Sequence, residues 1–191
     1  YCIAASVTRG QMAGFLHRVV KPVTPPPHPA PHGPLYVETS GSDVTNDCRT
    51  EASPCRTVRR AIVMSFDGDS VEIGPGTYAE EDLTLDHDLT IHGDAGGGTT
   101  IDASGGGRAR IFTVDPGRTV SLDRLSLTGG RATDGGAISN HGALSIANAT
   151  IAGNTASGNG GGIQNFDVLK VTDSTITDNT AGQGGAIHGV S

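Results

Sequence analysis

Gly135-Gly136-Ala137-Ile138, Gly160-Gly161-Gly162-Ile163 and Gly184-Gly185-Ala186-Ile187 are three versions of one unit, 25 and then 24 residues apart. A fixed period of this size marks a repeat architecture, in which each unit buries its apolar side chains against the next. Three apolar columns follow the period. Val114, Ile138, Ile163 and Ile187 form the first, Val120, Leu144 and Leu169 the second, and Leu127, Ile151 and Ile176 the third. Leu122, Ile146 and Val171 accompany the second column two residues later, as strand alternation requires. Extended backwards, the columns begin at Leu85, Leu89 and Ile101, with wider intervals that inserted loops such as Gly105-Gly106-Gly107-Arg108 account for.

Three short strands per 24–25 residues, with Gly and Asn between them, predict an all-β fold: a right-handed parallel β-helix, or solenoid. Asn140 and Asn165 share one corner and Asn154 and Asn179 another, so their amides are expected to hydrogen-bond from coil to coil. A leucine-rich repeat has a similar period, but its Leu-rich signature and convex helix are absent. From Thr57 to Phe66, Val58, Ala61, Ile62 and Phe66 fall on one helical face. A capping helix near 56–66 is therefore expected over the first coil, which would otherwise expose an apolar end.

Composition agrees with a thin, stacked interior. Gly accounts for 29 of 191 residues, Trp is absent and aromatics are 4%. No apolar run reaches the roughly 18 residues that a membrane-spanning helix needs. Residues 1–34 carry three basic side chains and no acid, leaving ten basic against twenty acidic residues beyond them. A body this acidic repels phosphate backbones, which disfavours nucleic acid as a partner. Cys48 and Cys55 lie close together in a turn-rich stretch. They read as a disulfide in an oxidising setting, as free thiols, or as half a metal site; no second Cys or His pair completes a zinc set, which favours the disulfide.

The chain divides into three. Residues 1–21 hold a short amphipathic helix that starts at Thr8 with a Thr-x-x-Gln capping spacing and ends at Pro22. Residues 22–34 hold seven of the ten prolines and read as a stiff spacer, with His28 and His32 as linker polars. Residues 35–191 are the solenoid. The chain begins at Tyr1 without Met and stops in mid-pattern, so it is expected to be a piece of a longer protein.

At these residues family likenesses emerge. The Gly-Gly-x-Ile units resemble the Gly-Gly-Ala-Ile motif of polymorphic outer-membrane protein repeats. Ile151-Ala152-Gly153-Asn154 and Ile176-Thr177-Asp178-Asn179 are similar to that family's Phe-x-x-Asn partner, with Ile for Phe. Val71 to Asp102, including Gly74-Pro75-Gly76-Thr77-Tyr78, is similar to the opening coils of the pectate-lyase-like superfamily. These resemblances imply secreted or surface-exposed proteins, many adhesin-like and some polysaccharide-degrading. Val7 to Arg18 resembles the closing helix of an S-layer homology repeat, whose Thr-Arg-Ala-Glu is here Thr8-Arg9-Gly10-Gln11. That resemblance implies cell-wall polysaccharide as a partner, with Arg9 at the glycan-contacting position.

Chemistry on such a fold projects outward from neighbouring coils. Beside the second column lie Thr90, Ser121, Ser145 and Lys170, then His92, Asp123, Ala147 and Thr172. Beside the first lie Asp86, Asp115, Ser139, Gln164 and His188, and beside the third a hydroxyl row of Thr100, Ser126, Thr150 and Thr175. On this reading no face gathers two carboxylates with a base, as a lyase or glycosidase requires. Asp86, His87, Asp88, His92 and Asp94 form the densest acidic group, readable as a calcium site, an acid–base pair or a polar corner. Arg108 and Arg110 in the inserted loop are candidate sugar contacts. No cofactor is expected beyond that calcium reading. The expected function is an extracellular, cell-surface repeat protein of structural, adhesin-like role associated with glycan. The alternatives are a polysaccharide lyase or glycoside hydrolase, and, from the hydroxyl row, an ice-binding solenoid.

Overall fold

The computed structural model describes residues 32–107 and 109–190. The chain winds through about five turns, each passing through three parallel sheets in the same order. The first sheet has six strands: Pro34–Val37, Asp69–Ile73, Leu89–Gly93, Thr119–Asp123, Ala143–Ala147 and Leu169–Thr172. The third column of the sequence forms a five-stranded sheet that includes Thr99–Asp102, Ser126–Thr128 and Thr150–Ala152. The Gly-Gly-x-Ile units lead into another, which includes Leu83–Leu85, Phe112–Val114, Ile138–Asn140, Ile163–Asn165 and Ile187–Gly189. The fold is an all-β parallel β-solenoid with one short helix among the described residues.

Register shows which columns stack. Ile138 lies beside Ile163, and Ile163 beside Ile187. Leu89, Val120, Leu144 and Leu169 form one file, and Ile101, Leu127, Ile151 and Ile176 another. One file needs correcting. Ile138 stands over Phe112, whereas Val114 stands under Asn140 and over Leu85. The expected step of 24 from Val114 to Ile138 slips by two residues because the two positions share one face, so periodicity cannot tell them apart. Phe112, the largest of the fully buried side chains, therefore sits in the Ile file.

The corner amides behave as expected. Asn140 Nδ2 donates to Asn165 Oδ1 at 2.6 Å, and Asn154 Nδ2 donates to Asn179 Oδ1 at 3.0 Å. Asn154 is fully buried, and its Oδ1 also accepts from the Gly130 N–H. Left-handed backbone immediately precedes the Asn154–Asn179 corner, at Gly129, Gly153 and Asp178 with φ of 76°, 70° and 52°, and recurs at two others. Arg124, Asn148 and Asp173, with φ of 55°, 50° and 48°, repeat at one of them. Gly135, Gly160 and Gly184, with φ of 64°, 62° and 60°, repeat at another. At these glycines the chain doubles back so tightly that a Cβ on Gly160 would sit on the carbonyl of Ile163. Ser139 and Gln164, which alternation turns outward, are consequently buried rather than exposed.

The helix Val58–Met64, α1, buries Val58, Ala61 and Ile62. All its first N–H groups have partners: Asp43 accepts from Thr57, Glu80 from Val58 and Arg59, and Thr57 Oγ1 from Arg60. Two carboxylates at that end also suit the helix dipole. Burial raises the Glu80 pKa, a cost that its hydrogen bonds from Arg59 and Val58 only partly offset. Phe66, expected on the buried helical face, lies past the helix end, half exposed, against the His32 ring at 4.5 Å.

Cys48 and Cys55 are joined by a disulfide and both are fully buried. Their loop pairs with the outer edge of Pro34–Val37: Tyr36 N–H donates to Cys48 O, Cys55 N–H to Tyr36 O, and Glu38 N–H to Cys55 O. A strand edge that would otherwise invite intermolecular pairing is thereby satisfied. Opening the bridge restores chain entropy to the unfolded state. The double substitution Cys48→Ser, Cys55→Ser is expected to cost about 2–4 kcal/mol in urea unfolding. An unchanged unfolding midpoint would contradict it.

The helix expected within 1–21, most of the 22–34 spacer, Arg9 and Arg108 lie outside the described residues.

Candidate functional site

The outward face of the first sheet carries a file that the sequence columns did not reveal. Tyr36 lies beside Glu72, Glu72 beside His92, and His92 beside Asp123. Parallel neighbours stand about 4.8 Å apart, so two carboxylates, an imidazole and a phenol share one ridge. The expectation that no face combines two carboxylates with a base is therefore corrected. It failed because Glu72 and Tyr36 precede the first recognisable repeat, where strand pairing is set by the loop and helix between them rather than by the period. Next to this ridge, an open cleft of about 450 Å³ is lined by Tyr36, Glu38, Glu51, Glu72, Asp94 and Arg124, among others.

The hydrogen bonds define what these groups can do. Asp123 Oδ1 accepts from Asn148 Nδ2 at 2.9 Å, while Oδ2 is 3.2 Å from His92 Nδ1 and is also paired with the Arg124 guanidinium. Burial raises the Asp123 pKa, but the hydrogen bonds from Asn148 and His92 and the Arg124 charge outweigh it and hold the carboxyl below its usual range. A carboxylate so engaged stays ionised near neutral pH and is a poor proton donor. Arg124 Nε donates to Gly93 O at 3.0 Å, which ties two coils together. Asp94 accepts from the Gly96 N–H and closes its own turn.

The acidic group expected as a unit is divided. Asp94 and His92 belong to the cleft side, whereas Asp86, His87 and Asp88 sit at the opposite corner, where the chain enters the first sheet from Leu83–Leu85. Asp88 Oδ1 accepts from the Thr119 N–H at 2.8 Å, and Asp67 accepts from the Asp88 N–H, so Asp88 is a coil-to-coil brace. His87 contacts Asp86 and Ser65. Among the described residues no group of three His, Cys, Asp or Glu side chains converges as a metal site. Arg110 lies just before Phe112–Val114, where its carbonyl accepts from Asp82 N–H. The inserted loop is held by Glu81, which accepts from the Gly107 N–H at 2.7 Å.

The hydroxyl row is in register and one residue longer than expected: Thr77, Thr100, Ser126, Thr150 and Thr175. The neighbouring file of Asp102, Thr128, Ala152 and Thr177 is mixed in charge and size. Lys170 stands beside Ser145 and is exposed.

No family model matches the chain, and no curated protein sequence matches it significantly. Among solved structures, a rhamnogalacturonan lyase resembles it at 15% identity with a TM-score of 0.44. That alignment covers 79% of this chain and 51% of the lyase, so the chain spans about half the lyase's length. A likeness at this level carries no argument about reaction or substrate.

Proposed function

We propose that the chain is part of an extracellular, cell-surface-associated protein in which the solenoid is a stiff, adhesin-like spacer. It would hold polysaccharide on the outward face of its first sheet without cutting the glycan chain. The observation that carries this reading is the Asp123 carboxylate, fixed by His92 and Asn148 from the coils on either side and by its chain neighbour Arg124. Glycosidic cleavage asks for an acid able to give up a proton and a second carboxylate free to act as base or nucleophile. Here the best-placed acid is committed to binding coils together. What is left is a preorganised polar face with Tyr36 and Glu72 beside an open cleft, a composition suited to sugar hydroxyls.

The buried disulfide is consistent with an oxidising compartment. Right-handed winding, a capping role for α1, and wall attachment through Arg9 in a partial S-layer homology helix complete the proposal. The test is binding of soluble polysaccharides to the chain, with Tyr36→Ala and His92→Ala as variants. Retention of a neutral glycan, weakened at least about tenfold by Tyr36→Ala, is expected, since losing one buried aromatic contact is worth about 1.4 kcal/mol or more. Cleavage of pectin or another polysaccharide, with or without calcium, would overturn this reading in favour of a degradative enzyme.

A further inference from the structure

Ser65, His87 and Asp86 form a hydrogen-bonded chain at the corner opposite the glycan-facing cleft. Ser65 follows the last residue of α1, and its Oγ lies 2.7 Å from His87 Nε2. His87 Nδ1 lies 2.7 Å from Asp86 Oδ1. All three line an open cleft of about 420 Å³, together with Arg59, Ile62 and Val63. An ionised carboxylate only accepts, so Nδ1 carries the proton facing Asp86. In neutral imidazole Nε2 then presents a lone pair to the Ser65 hydroxyl. This is the relation of nucleophile, base and orienting acid that activates serine for acyl transfer.

We infer that Ser65, His87 and Asp86 hydrolyse esters of short acyl groups. The acyl group is short because Ser65 is only 8% exposed, so a bulky acyl carbon could not reach its Oγ. The alcohol portion extends into the open cleft and is little restricted. Ser65 Oγ adds to the ester carbonyl carbon as its proton passes to His87 Nε2. The tetrahedral adduct expels the alcohol, which takes that proton from Nε2. Water then adds to the acyl-serine, His87 again accepting and returning a proton, and the carboxylic acid leaves with Ser65 restored. Arg59 lines the same cleft, its guanidinium donating to the carbonyls of Glu81 and Asp82. Asp86 is adjacent to His87 in sequence and its side chain is 66% exposed, so it acts as a positioning residue of modest weight.

The competing arrangement is structural. Ser65 Oγ also lies 2.7 Å from Ile62 O, the carbonyl one turn back in α1. While the hydroxyl donates there, as a carbonyl that can only accept requires, His87 faces Ser65 as a donor from Nε2 and the set clamps the end of the helix; nucleophilic attack needs that proton turned from Ile62 O to Nε2. This corner is separate from the glycan face, and neither role depends on the other.

The experiment is turnover of an aryl acetate by the whole chain, together with labelling by a fluorophosphonate and peptide mapping. Label on Ser65 is expected, with turnover reduced at least about 100-fold in Ser65→Ala and His87→Ala, the range that removing a nucleophile or general base produces. Asp86→Asn should lose less. Because Ser65→Ala removes a bond to α1, Ser65→Cys is the companion. It keeps the side-chain shape and should exchange fluorophosphonate labelling for iodoacetamide labelling at residue 65, with circular dichroism unchanged. No label on Ser65, or wild-type turnover in His87→Ala, would overturn the assignment and leave the clamp.

Discussion

Replacing Asp69 by Ala is expected to destabilise the protein by about 3–5 kcal/mol, the usual consequence of leaving one member of a buried ion pair alone. The Asp69 side chain is fully buried and meets Arg49 at 2.8 Å. It also accepts from the His32 N–H at 2.7 Å and the Phe66 N–H at 3.0 Å. Arg49 in turn donates to Gly33 O and Met64 O. One carboxylate thus joins the first strand's approach, the disulfide loop, the end of α1 and the start of Asp69–Ile73. Removing it strands the Arg49 cation among carbonyls with no counter-charge. Against a domain stability of about 5–15 kcal/mol, the loss is large. Urea unfolding at pH 7 measures it, and a difference below about 1 kcal/mol would refute this account of the N-terminal end.

The same group sets a pH dependence. Burial raises the Asp69 pKa, but Arg49 and the two backbone N–H donors outweigh it, so the folded value lies below the ordinary carboxylate value. Its contribution is therefore complete above the unfolded pKa, near 3.9, and disappears as pH falls through the lower folded value. Glu80 has the opposite sign. Its folded pKa is raised, so its burial is less costly as pH falls toward the unfolded value. Acid unfolding of the wild type should steepen below about pH 4, and Asp69→Ala should flatten that limb.

Gly160→Ala is expected to cost about 2–5 kcal/mol. The left-handed backbone at φ 62° accounts for about 1–2 kcal/mol with any ordinary side chain. The remainder comes from overpacking, about 1–3 kcal/mol, because the added Cβ would sit on the Ile163 carbonyl and close to Gln164 N at 2.8 Å. The Ile163 strand is clamped on both sides by Ile138 and Ile187, so backbone relief would disturb three coils. Two controls separate the terms. Gly97 has φ 85° with open space around its Cβ position, so Gly97→Ala should show the conformational cost alone. Gly105, with neither constraint, should be nearly neutral. Equal midpoints for Gly160→Ala and Gly105→Ala would remove the steric explanation of the Gly-Gly-x-Ile unit.

The candidate sites were legible only in fragments. His92 and Asp123 stood in adjacent outward positions by periodicity, but Glu72 and Tyr36 precede the regular repeat, and the loop and helix between their strands hid how they align with them. Ser65 gave no signal as a partner of His87, because the two are 22 residues apart and meet only where α1 ends against a later corner. The compact run Asp86-His87-Asp88 suggested one cluster, whereas the corner keeps Asp86 with His87 and sends Asp88 to the Thr119 N–H of the next coil.

The amino-acid sequence alone was sufficient for the stacked, parallel winding of about two dozen residues per turn, the Ile files and the Asn ladders. Those features repeat, and a repeated pattern reports its own geometry because every coil meets a near copy of itself. The tertiary structure decided everything that occurs once: Phe112 in place of Val114 beneath Ile138, the Arg49–Asp69 anchor, the ridge of Tyr36, Glu72, His92 and Asp123, and the meeting of Ser65 with His87. Unique contacts depend on loop lengths and on where a helix ends, which set distances between residues without leaving any periodic trace in the chain.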